Sequence, residues 1–136
     1  SNPALTHTPS LGGYYTATVS AINSVGVVTA TTVYTINNPT PAATTTIPSV
    51  TAAPANTPMV VNGTGFVSGA VVQIQLTTGG AITTYTPSLV TSTSLSITIT
   101  GTDLQAGKTY NLWVINPEPP VALPPRKSAP ITFSVS

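Results

Sequence analysis

The chain has 136 residues, a formal net charge of +1 and 4% charged residues, and its first 102 residues contain no Asp, Glu, Lys or Arg. General acid–base catalysis, carboxylate metal sites and phosphate binding all need ionisable or cationic groups. Cysteine is absent too, which excludes disulfides and thiolate metal sites. We therefore expect no enzyme, no catalytic, metal or cofactor-binding residue, and no nucleic-acid partner.

The first predicted element is a β-hairpin over residues 14–36. Apolar residues alternate with Thr and Ser along residues 15–21, as in a strand with two unlike faces. Residues 23–26, Asn-Ser-Val-Gly, have turn composition, and a β-branched run follows over residues 27–36. An isolated hairpin is marginal in water and its edges seek partners. Two hypotheses stay open: residues 1–37 are the remnant of a longer repeat, or they pair with a strand within or between subunits.

A spacer is predicted next, over residues 38–47. This stretch is rich in Pro and Thr and has no hydrophobic period, which is typical of an extended, semi-rigid linker. The sequence thus predicts three regions: a partial immunoglobulin-like hairpin (residues 1–37) that is a candidate strand donor, the linker, and a β-sandwich over residues 48–136.

The region after the linker contains short β-branched or alternating segments separated by Gly, Pro and Asn. Many short strands at near-regular spacing predict an all-β fold, an immunoglobulin-like β-sandwich with an additional N-terminal β-hairpin. The predicted strands lie near residues 48–51, 59–66, 71–76, 81–85, 95–99, 110–115 and 131–135.

Motifs in the same region occur in a characteristic order. They are Val61-Asn62-Gly63-Thr64-Gly65-Phe66, Thr91-Ser92-Thr93-Ser94-Leu95, Gly107-Lys108-Thr109-Tyr110, Val114-Ile115-Asn116-Pro117 and the segment from Ser128 to Val135. This order resembles the IPT/TIG immunoglobulin-like family, with its "GxGF" turn. The resemblance implies that Phe66 enters the core and that Tyr110 is similar in position to a tyrosine-corner residue. Residues 12–36 resemble the last two strands of a bacterial Ig-like or PKD-type repeat.

The candidate functional residues are mostly interface residues. Adjacent strand residues face opposite sides, so one of Tyr14 and Tyr15 is expected at the surface. A stiff proline-rich loop between the last two strands is a second candidate surface. The predicted interface comprises Tyr14, Tyr15, Val19, Val33, Tyr34, Val121 and Leu123. Asn62, in Asn-Gly-Thr, is a candidate N-glycosylation site.

Other distinctive side chains are expected to have structural or solvating roles. His7 is the sole histidine and is expected to be solvated or to face a partner. Tyr110 and Trp113 lie on the most apolar predicted strand and are both expected in the core. The charged residues, from Asp103 to Lys127, are expected to solvate loops.

The function predicted from these observations is structural. We expect a non-enzymatic module of a secreted or cell-surface protein, either an extracellular filament subunit or an adhesin stalk repeat. It would assemble with itself or with neighbouring Ig-like domains by strand pairing and apolar contacts, without membrane insertion. The alternative is a carbohydrate-binding accessory domain of a secreted polysaccharide-active enzyme, with surface glycans as candidate partners. This alternative requires two or more coplanar exposed aromatic rings.

Overall fold

The computed structural model describes residues 12–48, 50–51, 56–118 and 126–136. Within these residues the chain forms three β-sheets and one short 3₁₀ helix, Gly101–Asp103. Segments rich in Thr and Val dominate the described chain, and their β-branched side chains favour an extended backbone. The predicted all-β class is confirmed, as is the presence of the additional hairpin.

The N-terminal sheet is the hairpin alone. It contains β1 (Gly13–Asn23) and β2 (Gly26–Ile36), paired antiparallel over their whole length from Gly13 opposite Ile36 to Asn23 opposite Gly26. The Asn23 side chain closes the two-residue turn, because its Oδ1 accepts hydrogen bonds from the backbone N–H groups of Val25 and Gly26, at 2.8 and 3.1 Å.

The two larger sheets form the sandwich. The four-stranded sheet has the order β3-β5-β9-β8, and the larger sheet has the order β4-β12-β10-β6-β7, with β11 also paired to β10. The four-stranded sheet comprises β3 (Ala42–Ile47), β5 (Thr57–Thr64), β8 (Leu89–Val90) and β9 (Ser94–Ile99). The larger sheet comprises β4 (Val50–Thr51), β6 (Val71–Leu76), β7 (Thr83–Tyr85), β10 (Thr109–Asn116), β11 (Arg126–Lys127) and β12 (Ile131–Val135).

This strand order is that of an immunoglobulin-like sandwich. The smaller sheet corresponds to strands A-B-E-D, and β12, β10 and β6 correspond to strands G, F and C. The inward residues of both sheets make one core, in which Phe133, Leu95 and Leu112 are almost completely buried. Tyr110 also lies in this core, with its ring stacked on Phe133 at 5.5 Å between centroids.

The segment assigned from sequence to a spacer is instead largely part of the sandwich. Residues 42–47 form β3, which pairs with β5 from Ala42 opposite Thr64 to Ile47 opposite Val60. A register shift between Ala43 and Thr45 marks a bulge in this strand. The segment is extended, as predicted, but its backbone is hydrogen-bonded to β5, and the sandwich therefore begins before Pro48.

Trp113 corrects a second expectation. Leu112 and Val114 are fully buried, and successive strand residues alternate between faces. Trp113 therefore lies on the outer face of the larger sheet, opposite Gln73 in the register, and is only partly buried. Of the two aromatic residues expected in the core on this strand, only Tyr110 is there.

Candidate functional site

The hairpin has one apolar face, which is exposed to solvent. Residues directly opposite each other in an antiparallel pair share a face, so the odd-numbered residues of β1 and their partners on β2 form it. We call this the apolar hairpin face. Its central members, Val19 and Val28, are 68% and 71% exposed. Its residues are Tyr15, Ala17, Val19, Ala21, Val28, Ala30, Thr32 and Tyr34.

The opposite hairpin face is dominated by hydroxyl groups. It carries Thr16, Thr18, Ser20, Thr29 and Thr31, and its apolar exceptions are Tyr14 and Val33 near the base and Ile22 and Val27 near the tip. The tip itself presents Val25, which is 92% exposed. The hairpin is thus amphipathic, with no charged residue on either face.

The base of the hairpin is fastened to the sandwich by polar contacts. Within the base of the hairpin itself, Tyr15 of β1 stacks on Tyr34 of β2 with ring centroids 5.7 Å apart. Asn38 is buried; its Nδ2 donates to the Pro117 carbonyl at 2.6 Å, and its Oδ1 accepts the Gly12 N–H at 2.7 Å. These contacts hold both ends of the hairpin at the end of the sandwich where β3 begins, while the distal two thirds of the hairpin stay exposed.

Asn116 organises the same junction from inside the sandwich. It is completely buried, and its Nδ2 donates to the carbonyl oxygens of Pro39 and Gly65, at 2.8 and 2.7 Å. Its Oδ1 accepts the Val67 N–H at 3.4 Å. One side chain therefore joins the segment after the hairpin to the turn that contains Gly65.

A groove opens at one side of the sandwich, between β3 and β12. Its volume is about 450 Å³, and it is lined by Thr44, Thr45, Thr46, Pro130, Ile131 and Thr132. Thr46 is buried, and its hydroxyl has no hydrogen-bond partner among the described residues. The groove runs along the edge of β3 that no described strand covers, which makes it a candidate binding surface.

The outer face of the larger sheet carries a partly buried indole. The Lys127 Nζ lies 4.0 Å from the centre of the Trp113 ring, a cation–π contact. Trp113 is the one aromatic residue on this face within the described chain, since Tyr85, Tyr110 and Phe133 are on inward positions of their strands.

Several charged groups have specific partners and do more than solvate loops. Arg126 Nε lies 3.2 Å from Glu118 Oε1, and the Glu118 side chain is 6% exposed. The Tyr85 hydroxyl donates to Asp103 Oδ2 at 2.6 Å. Burial, followed by this hydrogen bond and the negative charge of Asp103, raises the pKa of Tyr85 well above its ordinary value.

The predicted site residues are distributed as follows. Tyr14, Val19 and Val33 are exposed, and Tyr15 and Tyr34 are partly buried. Val19 lies on the apolar hairpin face, whereas Tyr14 and Val33 lie on the opposite one. Asn62 is partly exposed within β5, and its Nδ2 donates to Thr45 Oγ1 at 3.4 Å. Val121, Leu123 and His7 lie outside the described residues.

Sequence reasoning missed the groove and both buried asparagines. Asn38 was assigned to the start of the predicted spacer, although the run Asn-Asn-Pro also fits a side chain that hydrogen-bonds neighbouring backbone. The groove has no local signal, because it forms between strands that are distant in sequence.

The described part of the chain contains no group of three or more His, Cys, Asp or Glu side chains placed to hold a metal ion. None of its helices is long and apolar enough to cross a membrane. Comparison with models of known protein families finds no match, and comparison with curated protein sequences finds none either.

Proposed function

We propose that this chain is a non-enzymatic structural module of a secreted or cell-surface protein, and that it assembles with other copies of itself as an extracellular filament subunit. The proposal includes a second arrangement, a stalk repeat of an adhesin, in which the same contacts form between neighbouring domains of one chain. The observation that carries it is the apolar hairpin face, whose Val and Ala side chains are exposed over most of the hairpin length. Exposed apolar patches mark interaction sites in soluble proteins.

The electrostatics support self-association. Neither the hairpin nor β3 contains a charged residue, so identical copies can approach without repulsion. Edge strands normally carry charges, prolines or bulges that prevent pairing with another chain. The two hairpin strands, each 11 residues long, have no charge or proline along their outer edges.

We include the IPT/TIG relationship in this proposal. Phe66 is buried, as the resemblance implies, and Gly65 has φ +71°, a backbone conformation that glycine adopts without strain. The Tyr110 hydroxyl donates to the Asp103 carbonyl at 3.1 Å and accepts the Gln105 N–H at 2.9 Å. A hydrogen bond from a tyrosine hydroxyl to the backbone a few residues upstream is a feature of the tyrosine corner, and it supports that role for Tyr110.

The direct test compares two lysine substitutions on neighbouring residues. Val19→Lys places a charge on the apolar hairpin face, and Thr18→Lys places the same charge on the hydroxyl face. We expect the wild type and Thr18→Lys to form fibres or discrete oligomers in electron micrographs and in light scattering across a dilution series. Val19→Lys should stay monomeric with unchanged unfolding stability. A wild-type chain that is monomeric at all concentrations would overturn the proposal.

A second candidate function, carbohydrate binding, is supported by the outward position of Trp113. Trp113 lies opposite Gln73 in the register on the outward sheet face, and aromatic faces bind apolar sugar surfaces. Within the described residues, the outer face of the larger sheet carries one such ring, whereas the carbohydrate-binding hypothesis requires two or more. Co-sedimentation with insoluble cellulose and chitin tests it: binding that is lost in Trp113→Ala supports the lectin-like role, and no sedimentation rejects it.

A further inference from the structure

The outer edge of β3 is unpaired. β3 is hydrogen-bonded to β5 on one side, and no described strand pairs with its other side. Charges, prolines and bulges are the usual means of preventing strand addition. β3 has no charge and no proline, and its bulge lies between Ala43 and Thr45, so the regular part of its edge is Thr45 to Ile47. The backbone N–H and C=O groups along this edge are therefore able to receive another strand.

Among the described strands, none pairs with the facing edge of β12 at Ile131 and Thr132. β12 pairs with β10 on one side, but β4 covers its other side only at Ser134 and Val135. The groove described above lies between this part of β12, which begins at Ile131, and β3.

The hairpin has the properties that this groove requires. It is already extended, the central parts of its strands consist of Ala, Ser, Thr and Val, and no described strand other than β1 and β2 belongs to its sheet. Neither the hairpin nor the groove lining contains a charged residue, so the two surfaces match in polarity. In strand addition, backbone hydrogen bonds supply affinity and side-chain fit supplies selectivity.

Area favours strand insertion over a flat contact. At about 3.3 Å per residue the hairpin is about 36 Å long, and two strands make a ribbon about 10 Å wide, so each face covers about 350 Å². A stable interface needs about 800 Å² per partner. A hairpin laid flat supplies less than half of that area, whereas a hairpin added to a sheet edge gains a row of backbone hydrogen bonds besides the contacts of its apolar face.

We propose that a hairpin strand of a second copy adds to the outer edge of β3, beside the groove between β3 and β12. The two contacting surfaces then differ, so each subunit has one hairpin to donate and one β3 edge to receive it. Such head-to-tail contacts give open filaments or rings rather than closed two-fold dimers. This inference rests on the proposed function and adds the receiving surface to it.

A mixing experiment with two variants tests the inference. Val19→Lys disables the hairpin and leaves the groove intact, whereas Thr45→Lys combined with Ile47→Lys charges the β3 edge and leaves the hairpin intact. Both β3 residues are exposed, so the substitutions should not unfold the sandwich. We expect each variant alone to be monomeric, with a critical concentration at least tenfold above that of the wild type. An equimolar mixture should form a 1:1 heterodimer and no fibres, because one intact contact remains.

The matched control is Thr98→Lys, on the outward face of β9 and separated from β3 by β5. It should assemble as the wild type does. Assembly of the Thr45→Lys, Ile47→Lys variant at the wild-type concentration would overturn the inference while leaving the proposed function intact. Monomeric behaviour of the wild type would overturn both, and the apolar hairpin face would then belong against another part of a longer chain.

Cross-linking gives an independent readout, because the chain has no cysteine. Thr45→Cys subunits are mixed with subunits that carry one cysteine in the hairpin, at Ala17, Val19 or Val28, and are oxidised after assembly. We expect an intersubunit disulfide with at least one of these positions, and none when Thr98→Cys replaces Thr45→Cys. Equal cross-linking from both positions would contradict a specific β3 contact.

Discussion

At the scale of single residues, Asn116 has the most demanding environment in the described chain. Its amide joins two carbonyl groups and one N–H in a fully buried position. Asn116→Leu would leave all three without that partner, and each buried unsatisfied group costs about 1–3 kcal/mol. We expect a loss of roughly 2–4 kcal/mol in the free energy of unfolding by urea denaturation.

The control for this prediction is Asn111→Leu on the same strand. Asn111 faces outward and is partly exposed, so its replacement should change stability by less than about 0.5 kcal/mol. If both leucine variants were equally stable, the buried amide network would not hold the junction between the hairpin and the sandwich.

Tyr85 leads to a prediction on alkaline stability. Burial and Asp103 raise its pKa, so the folded state holds the phenol proton more tightly than the unfolded state. This contribution is complete below the unfolded-state pKa of about 10 and is lost as pH rises through the folded-state pKa. We expect Tyr85→Phe to lower stability at neutral pH by roughly 1–2 kcal/mol, through loss of the hydrogen bond to Asp103.

Above about pH 10 the two proteins should converge, because the wild type alone loses this contribution. The measurement is the free energy of unfolding in urea at a series of pH values. Tyr14→Phe is the control, since it removes an exposed hydroxyl and should leave neutral-pH stability unchanged. A constant difference between wild type and Tyr85→Phe from neutral to strongly alkaline pH would contradict the argument.

The position of Trp113 shows what sequence resolves at this scale. The alternation along β10 places Tyr110, Leu112, Val114 and Asn116 on one face. Trp113 lies between two inward residues, so the two-residue period of the strand by itself predicts that its side chain faces outward. The expectation that Trp113 lies in the core relied on its apolar character instead and was wrong. The partners of Asn116 lie more than 48 residues away in sequence, and no local pattern predicts them.

At the scale of elements, the pairing of β3 with β5 depends on Gly63. A Cβ at this position would collide with the Ala42 carbonyl and the Phe66 ring. Gly63→Ala must therefore push β3 away from β5 or displace a core side chain, and overpacking of this kind costs about 1–3 kcal/mol or more. We expect a clear loss of unfolding stability and faster hydrogen exchange of the β3 amides.

Thr64→Ala, at the next residue, is the matched change, since Thr64 is exposed. It should leave amide exchange in β3 as in the wild type. If Gly63→Ala kept wild-type exchange rates in β3, the close approach of the Ala42 carbonyl would not determine how this strand docks.

Elements that are defined by contacts between residues close in sequence could be predicted, whereas elements that depend on distant residues could not. The hairpin was predicted because both of its signals are local: alternation on each strand and a turn sequence between them. β3 was not predicted, because Thr-rich sequence flanked by prolines looks the same in a linker and in an edge strand. Its pairing with β5, 13 or more residues away by register, decides between the two.

At the scale of the whole molecule, charge distribution and apolar exposure lead to a prediction on solution conditions. All described charged residues lie between Asp103 and Lys127, far in sequence from the hairpin. Salt screens charge–charge interactions over about 10 Å at 0.1 M, but the proposed contact has none to screen. Apolar contacts strengthen with sulfate and weaken on cooling.

We therefore expect the critical concentration for assembly to be nearly constant between about 0.05 and 0.5 M sodium chloride, a range over which the screening length falls several-fold. It should decrease in sodium sulfate and increase on cooling toward about 4 °C, because burial of apolar surface is driven mainly by entropy near room temperature. Sedimentation of assembled material in a dilution series measures all three. An ion-pair interface behaves in the opposite way, with dissociation as sodium chloride rises, and that result would move the contact from the uncharged hairpin to the charged C-terminal third.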